Sequence, residues 1–128
     1  MSTSANFAAT PRSTMTVISA ANTNRDGTGT IEAAFTAGAN GSRVDRIEVK
    51  ALSSTTAGMV RVFKRVSAGT WRLWREYAIS AATPSATVLT TSVLETEIGE
   101  LMANNTWELG LSTHNAESFA VHIGGGDF

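Results

Sequence analysis

The sequence predicts an all-β protein, a single-domain antiparallel β-sandwich of about eight strands. Three observations predict it. Short β-branched and aromatic runs recur along the chain, clusters of Gly, Asn, Asp, Ser and Thr separate them, and only one segment leans toward helix. A length of 128 residues suits one domain, which buries about two-thirds of the surface its extended chain would expose.

Positions 1–12 are small and polar and close on Thr10-Pro11-Arg12, so a flexible N-terminal arm is expected there, with the sandwich over 13–128. Thr14 to Ser19 is the first strand and Thr30 to Thr36 the second. Between them, Asn22 to Gly29 is a turn whose Asp26-Gly27 is a hairpin signal; Asn40-Gly41 is another. Arg43 to Leu52 sets Ile47, Val49 and Ala51 against Glu48 and Lys50, the period of a half-buried strand. Gly58 to Val66 places Val60, Val62 and Val66 on one side and Arg61 and Arg65 on the other. Phe63 sits among the arginines, as in a strand partly covered on both faces.

After Ser67-Ala68-Gly69, the residues Trp71, Leu73, Tyr77 and Ile79 share a parity that Arg75 interrupts. A bulge, or an end exposed to a partner, explains the interruption. Ala86 to Leu94 follows the break at Ala81 to Pro84 as a Thr- and Val-rich strand. Glu95 to Asn105 is the helix-leaning segment, a single turn or a loop. Thr106 to Ser112 and Ser118 to Ile123 complete the set, with Trp107, Leu109 and Leu111, then Phe119, Val121 and Ile123, on common faces. Eight strands fit a jelly roll, although pattern alone leaves the topology open.

Composition narrows the function. The charged share is 16 %, against about 25 % in average domains, so the polar surface is mostly Ser, Thr, Asn and Gly. Such a surface loses less on desolvation than one of Lys and Glu, which suits contact with other proteins. A net charge of −1 argues against nucleic acid as principal partner. The chain has no cysteine, hence no disulfide, thiolate nucleophile or cysteine zinc site. The start, Met1 to Phe7, lacks the basic and apolar regions of a signal peptide, and no run approaches the roughly 18 apolar residues of a membrane helix. A soluble protein with no membrane partner is expected.

Asn22-Thr23-Asn24-Arg25-Asp26-Gly27 resembles the start of a calcium loop, with oxygen-bearing side chains at alternate positions and glycine sixth. The count then puts Ala33 where a bidentate Glu belongs, so a polar turn is the better reading and no metal is expected. His114 and His122 lack partners at metal-ligand or catalytic spacing. There is no Gly-x-Ser-x-Gly elbow, and Gly124 to Gly126 precedes no helix that could cradle a phosphate. Neither an enzyme nor a cofactor is expected.

Arg61, Lys64, Arg65, Arg72 and Arg75 lie on two adjacent expected strands, interleaved with Phe63, Trp71 and Trp74. Basic and aromatic residues on one face hold single-stranded nucleic acid in some proteins and anchor protein interfaces in others. Cross-strand pairing with Glu48, Glu76 and Glu108 is the plain structural alternative. The near-neutral charge favours an interface over nucleic acid. Trp71, Trp74 and Trp107 also suggest a sugar-stacking platform, but Trp71 and Trp107 share parity with apolar core candidates. Trp74 is the one expected to face a partner. The interface candidates are Arg12, Arg61, Arg65, Arg72, Trp74 and Arg75.

Several blocks carry a resemblance: Ala21 to Gly29, Phe35 to Ile47, Thr56 to Phe63, Ala82 to Thr87, Ser112 to Glu117, and the ending Gly125-Gly126-Asp127-Phe128. They resemble small proteins encoded by tailed bacteriophages and prophages. The resemblance covers most of the chain from Ala21 onward and contains no catalytic motif. It implies a virion structural protein, a head decoration (cement) protein on the capsid exterior. The major capsid protein would be its partner, a homo-oligomer its state, with a trimer favoured, and the bacterial host cytoplasm its place of synthesis. A tail module or a receptor- or carbohydrate-binding module of the virion is the alternative.

Overall fold

The period-two pattern resolves into nine strands in the computed structural model, which describes residues 8–128. They are β1 (Thr10–Ile18), β2 (Glu32–Thr36), β3 (Ser42–Ala51), β4 (Gly58–Val66), β5 (Arg72–Ile79), β6 (Ser92–Glu95), β7 (Glu100–Met102), β8 (Trp107–Thr113) and β9 (Phe119–Asp127). The strand pairings are antiparallel, and five of them nest: β1 with β9, β2 with β8, β3 with β6 and β7, and β4 with β5. The pattern is that of one long hairpin with its tip between β4 and β5. Rolling that hairpin sends alternate pairs to opposite sheets and brings β9 beside β3 and β8 beside β4. A five-stranded sheet of order β1-β9-β3-β6, with β7 also on β3, thus faces a four-stranded sheet of order β2-β8-β4-β5. This is the jelly-roll order, with both sheets contributing one face to the core.

The core between the sheets holds Val44, Ile47 and Val49 of β3, Val60 and Val62 of β4, Leu109 and Leu111 of β8, and Phe119, Val121 and Ile123 of β9. Phe35 and Met102 both pack into it at the end where Asp127 finishes β9. Two bulges set which residues reach it. In β3 the register slips between Val44 and Arg46, so the buried positions pass from even (Ser42, Val44) to odd (Ile47, Val49, Ala51). In β5 it slips between Leu73 and Arg75, at Trp74. The interruption expected at Arg75 is therefore a bulge. It sends Leu73 to the outer face with Phe63, while Tyr77 and Ile79 enter the core.

Several expectations are corrected. Asp26-Gly27 and Asn40-Gly41 do not make hairpins, because β1, β2 and β3 alternate between sheets. A turn reverses the chain locally, but burial of each strand's apolar face selects its neighbour. Among the described residues β4 and β5 are the only consecutive strands that pair. Ala86 to Thr91 is loop; Ser85 closes a tight turn there, its Oγ accepting from the Val88 amide at 3.1 Å. Glu95 to Asn105 is not helical either. Glu97 and Gly99 both have positive φ, and the chain then lays Met102 into the core through β7. Thr10 to Arg12, assigned to the arm, open β1 opposite Asp127 to Gly125, and residues 1–7 lie outside the described residues. Val66, expected inside, extends past the core and is exposed.

Charged side chains tie the sheets together at their margins. Glu95 of β6 accepts from the Tyr77 hydroxyl at 2.8 Å and from Arg75 Nη1 at 2.9 Å, both on β5. Lys64 of β4 pairs with Glu100 of β7. Arg12 of β1 pairs with Asp127 at 3.0 Å, donates to the Thr36 carbonyl of β2 at 3.2 Å, and lies over the Phe35 ring.

Two outcomes follow. A Cβ on Gly125 would stand 1.9 Å from the Arg43 carbonyl oxygen, so Gly125→Ala must push β9 from the β3 bulge. A loss of about 1–3 kcal/mol is expected, read from the midpoint of urea unfolding. Burial, then the bond to Glu95, raise the Tyr77 pKa above its ordinary 10.0. The phenol is neutral when protonated, so its share of stability is complete below pH 10.0 and declines above it. Tyr77 is the sole tyrosine, so the phenolate absorbance band should appear only as the protein unfolds in alkali.

Candidate interaction surfaces

The six interface candidates do not form one patch. Arg61 is buried on the outer side of β4, beneath the loop that joins β1 to β2. Its Nε donates to Glu76 at 2.9 Å, and Arg25 of that loop donates to the other Glu76 oxygen at 2.7 Å. These two hydrogen bonds, that from Arg25 first, hold the Glu76 carboxyl below its ordinary pKa of 4.5. Arg65 pairs with Glu108 on β8 and stacks 4.1 Å from the centroid of Trp71. Arg12 and Arg75 are the inter-sheet ties described above. The cross-strand pairing by Glu76 and Glu108 that the sequence allowed is realised.

Trp71 is buried outside the main core. It lies over Gly110, where a Cβ would come within 2.8 Å of the indole and 2.6 Å of Ile31. A glycine on β8 therefore lets the indole and the β1–β2 loop cover the outer face of the smaller sheet. The calcium-like segment is part of that cover. Asn22 is buried and donates to the Thr28 and Thr30 carbonyls, while Asp26 accepts from the Thr28 hydroxyl at 2.6 Å. Its oxygens fasten a turn.

Arg72 and Trp74 remain. With Lys64, Arg65, Leu73 and Trp107 they line a groove of about 380 Å³ beside the β4–β5 turn. Trp74 and Trp107 are half-buried against the core, and the Lys64 ammonium lies 4.8 Å from the Trp107 centroid. Arg72 forms no ion pair among the described residues. Two indoles beside a free guanidinium can stack an apolar ring face and hold an anionic group.

The outer face of the larger sheet is the second surface, and the sequence reading did not single it out. In β1 the inward residues are Arg12, Thr14, Thr16 and Ile18, while Met15 (63 % exposed) and Val17 (52 %) face out. The Thr14 hydroxyl is buried with no hydrogen-bond partner among the described residues. Across the sheet, Met15, His122, Glu48 and Leu94 lie in one rung, so the β6 margin also carries an exposed leucine. Leu101 of β7 adds to that margin. Lys50 and the His122–Glu48 contact of 3.9 Å occupy the middle. His114 is elsewhere, 3.5 Å from Arg61.

No family model, curated protein or solved structure matches the chain.

Glu76 supplies the test of the Arg25–Glu76–Arg61 network. Its lowered pKa makes its contribution complete above pH 4.5 and lost as pH falls through the lower folded value. Glu76→Gln should flatten the acid limb of stability against pH. Glu76→Ala leaves Arg61 buried without a carboxylate and should lose about 2 kcal/mol at neutral pH, measured by chemical unfolding.

Proposed function

We propose that this chain is a virion structural protein, a decoration protein that binds the exterior of a bacteriophage head and bridges neighbouring capsid subunits. The observation that carries the reading is the inverted β1: threonines face the core while Met15 and Val17 face out. Apolar side chains on an open sheet face are unfavourable in water and become favourable under a partner surface. Leu94 and Leu101 repeat the feature at the far margin, about 14 Å away across three strand spacings. Two apolar margins on one sheet face suit contact with two neighbours at once. The low charge and the blocks resembling tailed-phage virion proteins agree with that use.

Decoration stabilises a shell by mass action. Contacts that exist only on the assembled lattice favour the intact particle over its parts. The major capsid protein is the partner on this reading, and the chain's charges, mostly neutralised internally, leave the contact largely apolar.

A second reading, a sugar-binding module of the virion, is favoured by the groove of Trp74, Trp107 and Arg72. Quantitative mass spectrometry of purified particles separates the two. Decoration predicts a copy number equal to that of the shell protein or a simple fraction of it. A few copies per particle would favour the tail module, and absence from particles would remove the virion reading.

A further inference from the structure

A two-sheet sandwich has exposed edge strands, and soluble proteins protect such edges with short strands, bulges or charge. Three of the edges here are protected. The β2 edge has five residues with a bulge between Ala33 and Phe35. The β5 edge is bulged at Trp74 and carries Arg72, Arg75 and Glu76. The β6 and β7 edge consists of pieces of four and three residues. In contrast, β1 runs nine residues against β9 with no register shift. Among the described residues no strand pairs with its other side.

Proline fixes which residues point their main chain outward. Pro11 has no N–H, so within a ladder its nitrogen must face away from β9. Main-chain direction alternates along a strand, so Ser13, Met15 and Val17 also present N–H and C=O to the open edge. No residue from Ser13 to Val17 is charged, and Arg12 is held by Asp127. Nothing in this edge repels a copy of itself.

We propose that β1 pairs with β1 of a second copy, antiparallel about a two-fold axis that passes between the two Met15 residues, making one continuous sheet from two. The register sets Met15 against Met15 of the second copy and Ser13 against Val17. That gives three hydrogen-bonded pairs with two bonds in each. It also places the exposed Met15 side chains side by side on the outer face. A three-fold ring by this edge would need a second, different free edge on each copy, and the other edges are short or bulged. The pairing is therefore isologous, and a trimer of the kind the resemblance implies would use another surface. The contact needs no capsid and is independent of the decoration reading.

Introduced cysteines test it, since the chain has none of its own. Cα atoms of a hydrogen-bonded antiparallel pair lie about 5.5 Å apart, within disulfide range. Met15→Cys should cross-link to a covalent dimer under mild oxidation. Ser13→Cys, about 14 Å from its own copy in this register, should not. Sedimentation of the full chain should show a dimer, weakened at least ten-fold by Met15→Lys, with the circular dichroism spectrum unchanged. A chain that stays monomeric at high concentration overturns the proposal. So does an oligomer in which Met15→Cys does not cross-link, or in which Ser13→Cys does so equally well.

Discussion

Strand β9 is hydrogen-bonded on both sides, to β1 and to β3, and the larger sheet depends on how closely it can lie between them. Its run of Gly124, Gly125 and Gly126 falls opposite the β3 bulge, where the Arg43 carbonyl occupies the space a side chain would need. The bulge in turn changes which residues of β3 face inward, so Val44 and Ile47 both reach the core across an odd spacing. One local absence of side chains thus permits the strand approach, the parity change and the core. The Asp127 carboxylate ends the same strand, accepting from the Ser42 hydroxyl at 2.5 Å and from Arg12. The glycines and the carboxylate together fasten both neighbours of β9 to it.

The fold class was legible in the sequence because alternation reports burial directly. Ile47, Val49, Leu109, Leu111, Val121 and Ile123 all face the core as their period requires. Partner choice was less legible. The Asp26-Gly27 and Asn40-Gly41 signals mark reversals, but a reversal between sheets carries the same local chemistry as one within a sheet. Ala86 to Thr91 shows another limit: β-prone residues without a neighbouring strand remain loop. Trp74 was suspected of meeting a partner on parity alone. The bulge displaces that parity, and Trp74 lines a groove while packing partly on the core.

The surfaces were less legible still, because charge pairing joins residues far apart in the chain. Arg12 and Asp127 are separated by 115 positions, and no spacing rule links them. Arg61 and Glu76 were placed on adjacent strands by pattern, so that pair was within reach. Of the ten Lys and Arg residues, Arg12, Arg25, Arg43, Arg61, Lys64, Arg65 and Arg75 are ion-paired within the chain. Positive charge here works mainly between strands and sheets. Met15 and Val17 were missed for a different reason: their parity in Thr-Met-Thr-Val is what a buried strand face also shows, and only the placement of Ile18 inside reverses it.

Nested pairing also has a consequence in time. The strands leave the ribosome in order, and β4 with β5 is the first pair whose members are both available. The middle of the larger sheet is made last, since β9 must enter between β1 and β3. Until then β1 has no neighbour to hold it, and β3 has only the short β6 and β7. Long-range closure of this kind carries a loop-entropy cost before any contact offsets it. The nascent chain therefore holds β1 with both edges open and β3 with one until β9 emerges, and β9 then closes one edge of each.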